Sequence, residues 1–411
     1  MEQFNIFEEL YEELPIVKSI KLGTFFSGIG APEKALGNIG IDYDLQFFSE
    51  IDKYAIKAYC AIHDESEEKC VGSISDLKGV NLPYCDMWFG GFPCQDISLA
   101  GNGKGFALET ESRSSLGWEM IRLLREVKTK PKYIVFENVA AIFNETHRPV
   151  LNLFKQDLEE LGYTLFNKLL NSKDYGVPQN RNRYFLVAIL GEYNYKFPTA
   201  IPLNLKLKDT LEDEVNNKYY LTDNQMERMI VEPIAPFEMS SALGSREHEG
   251  SGWKNIASTL CARDYKDPKV ITIPNVKNIN NIDDVMSTLG TNCGSSTSAG
   301  GGVIVAGQIQ PKDRYYNKNG REREEQFETR KDELSNSILT NDIKNMIQNN
   351  LRIRKLTPLE CYRLQAFADE DFYKAEKVIS NSQLYKTAGN SITVKVLEAI
   401  FTNLFLSGKK Y

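Results

Sequence analysis

Short apolar runs alternate with helical patterns from residue 20 to about residue 195, and this alternation restricts the fold more than any other feature. Runs at 22–27, 45–49, 87–89, 133–136, 165–170 and 184–189 have strand length and strand composition. Helical text lies between them. It covers 116–127, and it recurs where Leu151, Phe154, Leu158 and Leu161 share a helical face that Gly162 ends. Strands separated by helices imply βαβ units, hence a mostly parallel sheet covered on both faces. Residues 2–14 place Phe4, Phe7, Leu10, Tyr11 and Leu14 at helical spacing and predict a short amphipathic helix before the first strand.

The text changes after Phe197-Pro198. From there to about residue 350 it is polar, rich in Asn, Ser, Thr and Gly, and short of helical periodicity. Residues 290–302 hold five glycines in thirteen positions, which requires a loop, and 313–333 is dense in charge of both signs. A separate module, mainly β and loop, is expected there. Weak echoes at 257–260, 286–289 and 336–339 hint at a repeat within it. Helical text resumes at Thr357-Pro358, an N-cap followed by a proline at the first helical position, and again over 392–405.

Composition narrows the chemistry. Of seven cysteines none forms a CxxC pair, which argues against a disulfide framework and a structural zinc site. With only His63, His147 and His248 available, a histidine-based metal centre or a Ser/His/Asp triad is disfavoured, and no metal is expected. No apolar run approaches membrane-spanning length, and the acidic start MEQFNIFEELYEELP has no cationic leader character, so a cytoplasmic location is expected. Net charge is −7, of which the five acids among the first fourteen residues account for five. Bulk charge does not advertise a nucleic-acid partner, yet a local basic face suffices for phosphate contacts.

Four constellations stand at predicted strand ends. The first, Phe25-Phe26-Ser27-Gly28-Ile29-Gly30-Ala31-Pro32-Glu33, leads from a strand through a Gly-x-Gly turn into a helix, and Glu50 ends the next strand. Backbone N–H groups at such a turn suit a close ligand, and a carboxylate about twenty residues on suits a ribose hydroxyl pair. The third glycine of a dinucleotide site is missing, and a tight βα turn without a ligand would read the same. The second is Gly90-Gly91-Phe92-Pro93-Cys94-Gln95-Asp96-Ile97-Ser98, followed by the loop Gly101-Asn102-Gly103-Lys104-Gly105. A cysteine directly after a strand sits at the sheet edge where open α/β folds bind ligands, although a free cysteine is more often a small buried hydrophobe. The third, Val135-Phe136-Glu137-Asn138-Val139, ends an apolar strand in a carboxylate. The fourth, Gln179-Asn180-Arg181-Asn182-Arg183, sets two arginines at i, i+2 before the strand YFLVAI, a pattern suited to an anionic or carbonyl-rich ligand or to a plain basic surface.

In this order the blocks FSGIG, SEID, GGFPCQDIS, FENV and QNRNRYFLVAI, followed by RKLTPLECYRLQAF and AGNSI, resemble the DNA (cytosine-5) methyltransferase family of bacterial or phage type. The resemblance covers roughly 20–195 and 352–405. One departure is Ala366 and Ala368 where the family usually reads LQGFP, which touches a local turn and no chemistry. The resemblance implies a Rossmann-like S-adenosylmethionine-dependent methyltransferase fold with a mostly parallel sheet, plus a smaller target-recognition domain. It divides the chain into a catalytic domain at 1–197, a recognition domain at 198–351, and a segment at 352–411 whose C-terminal helix returns to the catalytic domain.

The resemblance also implies roles. Cys94 is the nucleophile that adds to cytosine C6. Glu137 binds the exocyclic amine and N3, Arg183 binds O2, and Arg181 helps position Cys94 and its loop. The methyl donor S-adenosylmethionine lies over Phe26, along Gly28 and Gly30, with Glu50 on its ribose. Ile51 and Pro93 stand beside it, Asp76 lies near the adenine amine, and Asn390 and Ser391 close the pocket. Cytosine C5 and C6 are stacked inside a duplex, so the base is flipped out, and Gln95 or Ser98 fills the gap. Readout is expected from 198–351. There the 18 bases and 22 acids of 198–350 do not mark a DNA face, but residues 244–277 net +2, making Arg246, Lys254 and Arg263 candidate DNA contacts. The partner implied is double-stranded DNA, with either a cognate restriction endonuclease acting separately or a stand-alone or phage-encoded role, and a monomer is expected. An RNA methyltransferase of the transfer-RNA branch is disfavoured by the long middle region and by the absence of a Cys-Phe-Thr tripeptide. A non-catalytic DNA-binding relative is disfavoured by the intact Cys94, Glu137 and Arg183, and a nicotinamide oxidoreductase by the incomplete glycine pattern.

Overall fold

The computed structural model describes residues 14–92, 116–220, 257–258, 270–273 and 352–406. Residues 2–13 of the expected N-terminal helix, the glycine-rich loop at 290–302 and the charged stretch at 313–333 lie outside the described residues.

The expected alternation is present. The elements run β1 (Ser19–Phe25), α1 (Ala31–Asn38), β2 (Asp42–Ser49), α2 (Lys53–His63), β3 (Met87–Gly91), α3 (Leu116–Glu126), β4 (Tyr133–Val139), α4 (Arg148–Glu160), β5 (Tyr163–Asn171), β6 (Gln179–Asn180) and β7 (Asn182–Leu190). Six strands form one sheet in the order β2-β1-β3-β4-β7-β5. The β2-β1, β1-β3 and β3-β4 pairs are parallel, while β7 is antiparallel to both β4 and β5. The reversal follows from connection length. Each parallel step carries a helix or a long crossover, whereas the short link from β5 to β7 holds no α-helix and returns the chain antiparallel.

Strand periodicity divides the core. Along β4, Tyr133 and Val135 face one layer and Ile134 and Phe136 the other, and along β7 Phe185, Val187 and Ile189 alternate with Tyr184, Leu186 and Ala188. The first layer is completed by α1, α2 and the C-terminal helices, the second by α3 and α4. Both faces of the central strands are apolar, as a covered sheet requires.

After residue 190 the chain runs through 198–220 in extended and single-turn segments, then reappears in β8 (Ala257–Ser258), β9 (Val270–Ile273) and β10 (Arg352–Lys355). β8 pairs with β6, and β9 with β10. Four helices close the described chain: α5 (Pro358–Arg363), α6 (Asp369–Glu376), α7 (Asn381–Asn390) and α8 (Val394–Phe405). Thr357 caps α5 as the sequence predicts, accepting from the Glu360 N–H at 3.2 Å while the Glu360 carboxylate accepts from the Thr357 N–H at 2.8 Å. The same Glu360 takes both terminal nitrogens of Arg354, at 2.6 and 2.7 Å, with neither side chain exposed. It also accepts the Glu212 N–H at 2.9 Å, and Arg363 donates to the carbonyls of Thr210 and Leu211. Residues 207–212 are thus packed on the C-terminal segment.

Val396, Leu397, Ile400, Phe401 and Leu404 of α8 join the first layer, so the C-terminal helix packs on the sheet. Lys34–Asp371, Lys374–Asp64 and Lys386–Asp52 tie α6 and α7 to α1 and α2, and the Val17 N–H bonds the Phe405 carbonyl at 3.0 Å.

Candidate active site

The C-terminal ends of β1, β2, β3 and β4 form one edge of the sheet, which brings together the first and third constellations and Gly90–Phe92 of the second. On the β1–β2 side the chain leaves Phe25 through a run of left-handed residues: Phe26 at φ 55°, Gly28 at φ 57° and Gly30 at φ 76°. Gly30 is needed twice over. Its φ disfavours a side chain, and a Cβ there would stand 2.1 Å from His63 Nε2. Glu50, just past β2, holds the turn: Oε2 accepts the Gly28 N–H at 3.0 Å, and Oε1 accepts the N–H groups of Ile51 and Asp52 at 2.8 and 2.9 Å. A Cβ on Gly28 would meet nothing within 4 Å, so space opens in front of the turn. Ile51 stands beside it with 76 % of its surface exposed. A carboxylate with one lone pair left on Oε2, open space before a glycine turn and a bare apolar side chain fit a nucleoside with its ribose on Glu50. Asp76 is exposed at the end of a single turn (Ile74–Asp76) that is anchored by the buried Ile74, whose carbonyl accepts from Arg122 of α3 at 3.3 Å, and by the Ser49 hydroxyl at the end of β2, which donates to the Gly72 carbonyl at 2.7 Å.

Two strands away the base-side groups assemble. Gly91 of β3 pairs in register with Glu137 of β4, and Val139 of β4 with Arg183 of β7. Arg183 Nε lies 3.1 Å from Glu137 Oε1, both side chains being largely buried. Burial pushes the Glu137 carboxyl above the ordinary carboxylate range, and the Arg183 and then Arg181 guanidinium groups draw it partly back. Asn138 donates from Nδ2 to the Phe92 carbonyl at 3.2 Å and so fixes the last residue before Pro93. Pro93, Cys94, Gln95 and Ser98, like Arg246, Lys254 and Arg263, lie outside the described residues.

The two arginines part company in the structure. Arg183 is on β7, whereas Arg181 falls in the break between β6 and β7 and is 97 % buried. Arg181 Nη2 donates to the carbonyls of Gly389 and Ser391, at 3.1 and 2.7 Å. It therefore grips the end of α7, where Asn390 is exposed and Ser391 buried. Arg181 links the base side of the edge to the segment expected to close the donor pocket. The Ser172 and Thr393 hydroxyls, 2.8 Å apart, and the Thr393 hydroxyl donating to Gln365 Oε1 at 3.0 Å reinforce that join.

Several residues on this edge carry no sequence signal of their own. Asn138 reads as part of a motif but not as the brace of Phe92. The Asp52–Lys386 contact, 2.6 Å, joins positions 334 residues apart and is invisible without the fold. Thr24, Glu33 and Tyr59 form a buried polar cluster beneath the turn, with the half-buried His63 beside it. Only Glu33 stood inside a quoted block, and the scarcity of histidine was the one hint for His63. Among the described residues no group of His, Cys, Asp and Glu suits a metal ion, and no helix is long and apolar enough to cross a membrane.

The parallel sheet with a glycine turn, an acid closing the next strand and a buried acid–arginine pair two strands on define an α/β enzyme of the nucleoside-cofactor class. Residues 20–406 match the family described as C-5 cytosine-specific DNA methylase, and the chain belongs to that family. It is 33 % identical to the orphan methyltransferase M.SPBetaI of Bacillus phage SPbeta, over 94 % of this chain and 98 % of that protein. It is 28 % identical to the type II methyltransferase M.HhaI of Haemophilus parahaemolyticus, over 92 % of each. Among solved structures it resembles the Entamoeba histolytica methyltransferase EhMeth, with a TM-score of 0.61, 17 % identity and coverage of 96 % of this chain and 100 % of that one. The S. pombe Dnmt2 methyltransferase follows with a TM-score of 0.59, 17 % identity and coverage of 95 % and 100 %. At that identity the structural likeness speaks for the fold, which is the Rossmann-like methyltransferase fold expected from the sequence.

Proposed function

We propose that the chain transfers a methyl group to C5 of a flipped-out cytosine in a specific double-stranded DNA sequence, through a covalent bond between Cys94 and C6. The observation that carries this reading is the Glu137–Arg183 pair, buried at the edge beside the strand that leads into Pro93-Cys94. Cytosine C5 is a poor nucleophile. A Cys94 thiolate adding to C6 pushes the ring electrons toward C5, and the charge that would build on the ring is met by a proton held between Glu137 and N3. A carboxyl raised by burial suits that task. Arg183 then turns from Glu137 to the cytosine O2, where its fixed fork of donors keeps the ring in plane with the acid. When bound, S-adenosylmethionine supplies an electrophilic methyl group. Phe26, Gly28, Gly30, Glu50, Ile51, Asp76, Pro93, Asn390 and Ser391 would hold and enclose it. Loss of the C5 proton and departure of Cys94 restore aromaticity.

Residues 198–351 serve as the recognition domain, with Arg246, Lys254 and Arg263 toward the DNA and Gln95 or Ser98 entering the gap left by the base. The relatives' names suggest two settings, a solitary phage enzyme or the modification half of a restriction system with its endonuclease acting separately. A single chain suffices for either.

Fluorine at C5 tests the chemistry. Fluorine cannot leave as a cation, so a duplex with 5-fluorocytosine at the target should stay bonded to the protein in the presence of S-adenosylmethionine. A band surviving denaturing electrophoresis is expected, and Cys94→Ser should lose it because a serine hydroxyl is a far weaker nucleophile at neutral pH. Methylation without an adduct, or an adduct retained by Cys94→Ser, would refute the assignment. Bisulfite sequencing of DNA from expressing cells reads out the target sequence.

A further inference from the structure

Glu33 sits in the first turn of α1, directly under the glycine turn, and is 1 % exposed. Burial pushes its carboxyl above the ordinary range. Its contacts are one-sided. Oε1 accepts from the Tyr59 hydroxyl at 2.7 Å and from the Thr24 hydroxyl at 3.0 Å, while Oε2 has no hydrogen-bond partner among the described residues. A buried acid so poorly paired is costly to keep, and an apolar residue would serve the core better.

The hydroxyl chain beginning at Glu33 explains what it does. Thr24 Oγ1 lies 2.8 Å from the Ser27 hydroxyl, which lies 3.2 Å from the Ser49 carbonyl. A hydroxyl carries one hydrogen. With Thr24 donating to Glu33, its oxygen is left to accept, and the single Ser27 hydrogen is shared between Thr24 Oγ1 at 2.8 Å and the Ser49 carbonyl at 3.2 Å. Glu33 therefore orients Thr24, and Thr24 and the Ser49 carbonyl together hold the Ser27 side chain against β1 and the end of β2. Ser27 lies between Phe26 and Gly28, both left-handed. For Phe26 that conformation is strained and persists only where the surroundings over-determine it. The rest of the hold comes from the Ser27 N–H to the Ser49 carbonyl at 3.1 Å, and from His63, whose Nε2 lies 3.0 Å from the Ile29 carbonyl. The His63 ring packs against Tyr59 with centroids 4.8 Å apart. Glu50 grips the same turn from the open side, through Gly28.

We infer that Glu33 is a positioning residue for the methyl donor: through Thr24 and Ser27 it holds the strained Phe26–Gly30 turn in its donor-binding shape. This rests on the reading of that turn as the donor site. Glu50 is the acceptor that a donor's ribose engages, so it cannot be the turn's sole anchor. Glu33, out of the donor's reach, is the anchor that stays in place.

The test is calorimetric titration of the full chain with S-adenosylhomocysteine, alongside steady-state methylation. Glu33→Ala should weaken binding about tenfold, a charge-assisted hydrogen bond's worth, and raise KM for S-adenosylmethionine by the same factor with kcat and DNA affinity little changed. Glu33→Gln, which keeps an acceptor oxygen for Thr24 and Tyr59, should recover most of the loss. Thr24→Val cuts the chain at one hydroxyl with little change of shape, and should reproduce the defect even if Glu33→Ala does not fold. Wild-type donor affinity in Glu33→Ala or in Thr24→Val would overturn the inference, as would Gln rescuing no better than Ala. A purely structural role would lower the melting temperature and the active fraction without separating KM from kcat. A wild-type chain that binds no S-adenosylhomocysteine would instead overturn the donor-site reading, and its own titration tells the two failures apart.

Discussion

Glu50 and Glu137 are the same residue type at the same edge of one sheet, each ending or following a parallel strand, yet their surroundings differ in kind. Glu50 is partly open and spends its oxygens on three backbone N–H groups. Glu137 is 8 % exposed, faces a guanidinium and is pushed toward its protonated form by burial. A carboxylate fixed by backbone donors is an acceptor of set position, suited to holding a ribose. One poised by opposing desolvation and positive charge can hold or release a proton. The position of a strand end offers an acid to the edge, and the packing around it decides between binding and chemistry.

Removing each acid should therefore damage different parameters. Glu137→Ala is expected to lower kcat/KM for DNA by about two to four decades, the usual worth of a general acid or base, with S-adenosylhomocysteine affinity nearly unchanged. An equal loss of donor affinity would erase the distinction. Glu50→Ala should do the reverse, weakening the donor by about one to two decades while DNA affinity holds, for the loss of a charged acceptor from two hydroxyls. Calorimetry with donor and with DNA separately checks both. The smallest effect concerns pH. A carboxyl raised in the folded state binds its proton more tightly than in the unfolded chain, so it favours folding less as pH climbs from the ordinary carboxylate value through the raised one. Glu137→Gln carries no such proton. Across that window the stability of Glu137→Gln relative to the wild type should shift in favour of the variant, by denaturant melts at a series of pH values.

The clasp between the two halves sharpens the comparison. Arg181 Nη2 takes carbonyls at the end of α7, and Lys386 on the same helix pairs with Asp52 at the start of α2. One helix thus touches the strand break behind Glu137 and the helix that begins beyond Glu50. The surroundings of the two acids differ, but they share a wall.

The alternation of strand and helix, the apolar stripes of β4 and β7, the Thr357 cap and the four strand-end constellations could all be read along the chain, because each depends on neighbours within a few residues. Period-2 burial, a capping residue and a glycine turn are local physics, and the family resemblance rests on the same short blocks. The order β2-β1-β3-β4-β7-β5, the antiparallel return of β7 and the separation of Arg181 from Arg183 were not legible in that way. Both arginines bear on Glu137, but Arg183 pairs with it from β7 while Arg181, in the break between β6 and β7, donates to the carbonyls of Gly389 and Ser391. Glu33 appeared as an ordinary first-turn acid, favourable beside any helix N-terminus. Its burial under the glycine turn depends on Tyr59, twenty-six residues later, and on β1 beneath it. The sequence by itself determined which residues could do chemistry. The tertiary structure decided which of them are desolvated and what charge each one faces, since both depend on contacts between segments tens to hundreds of residues apart.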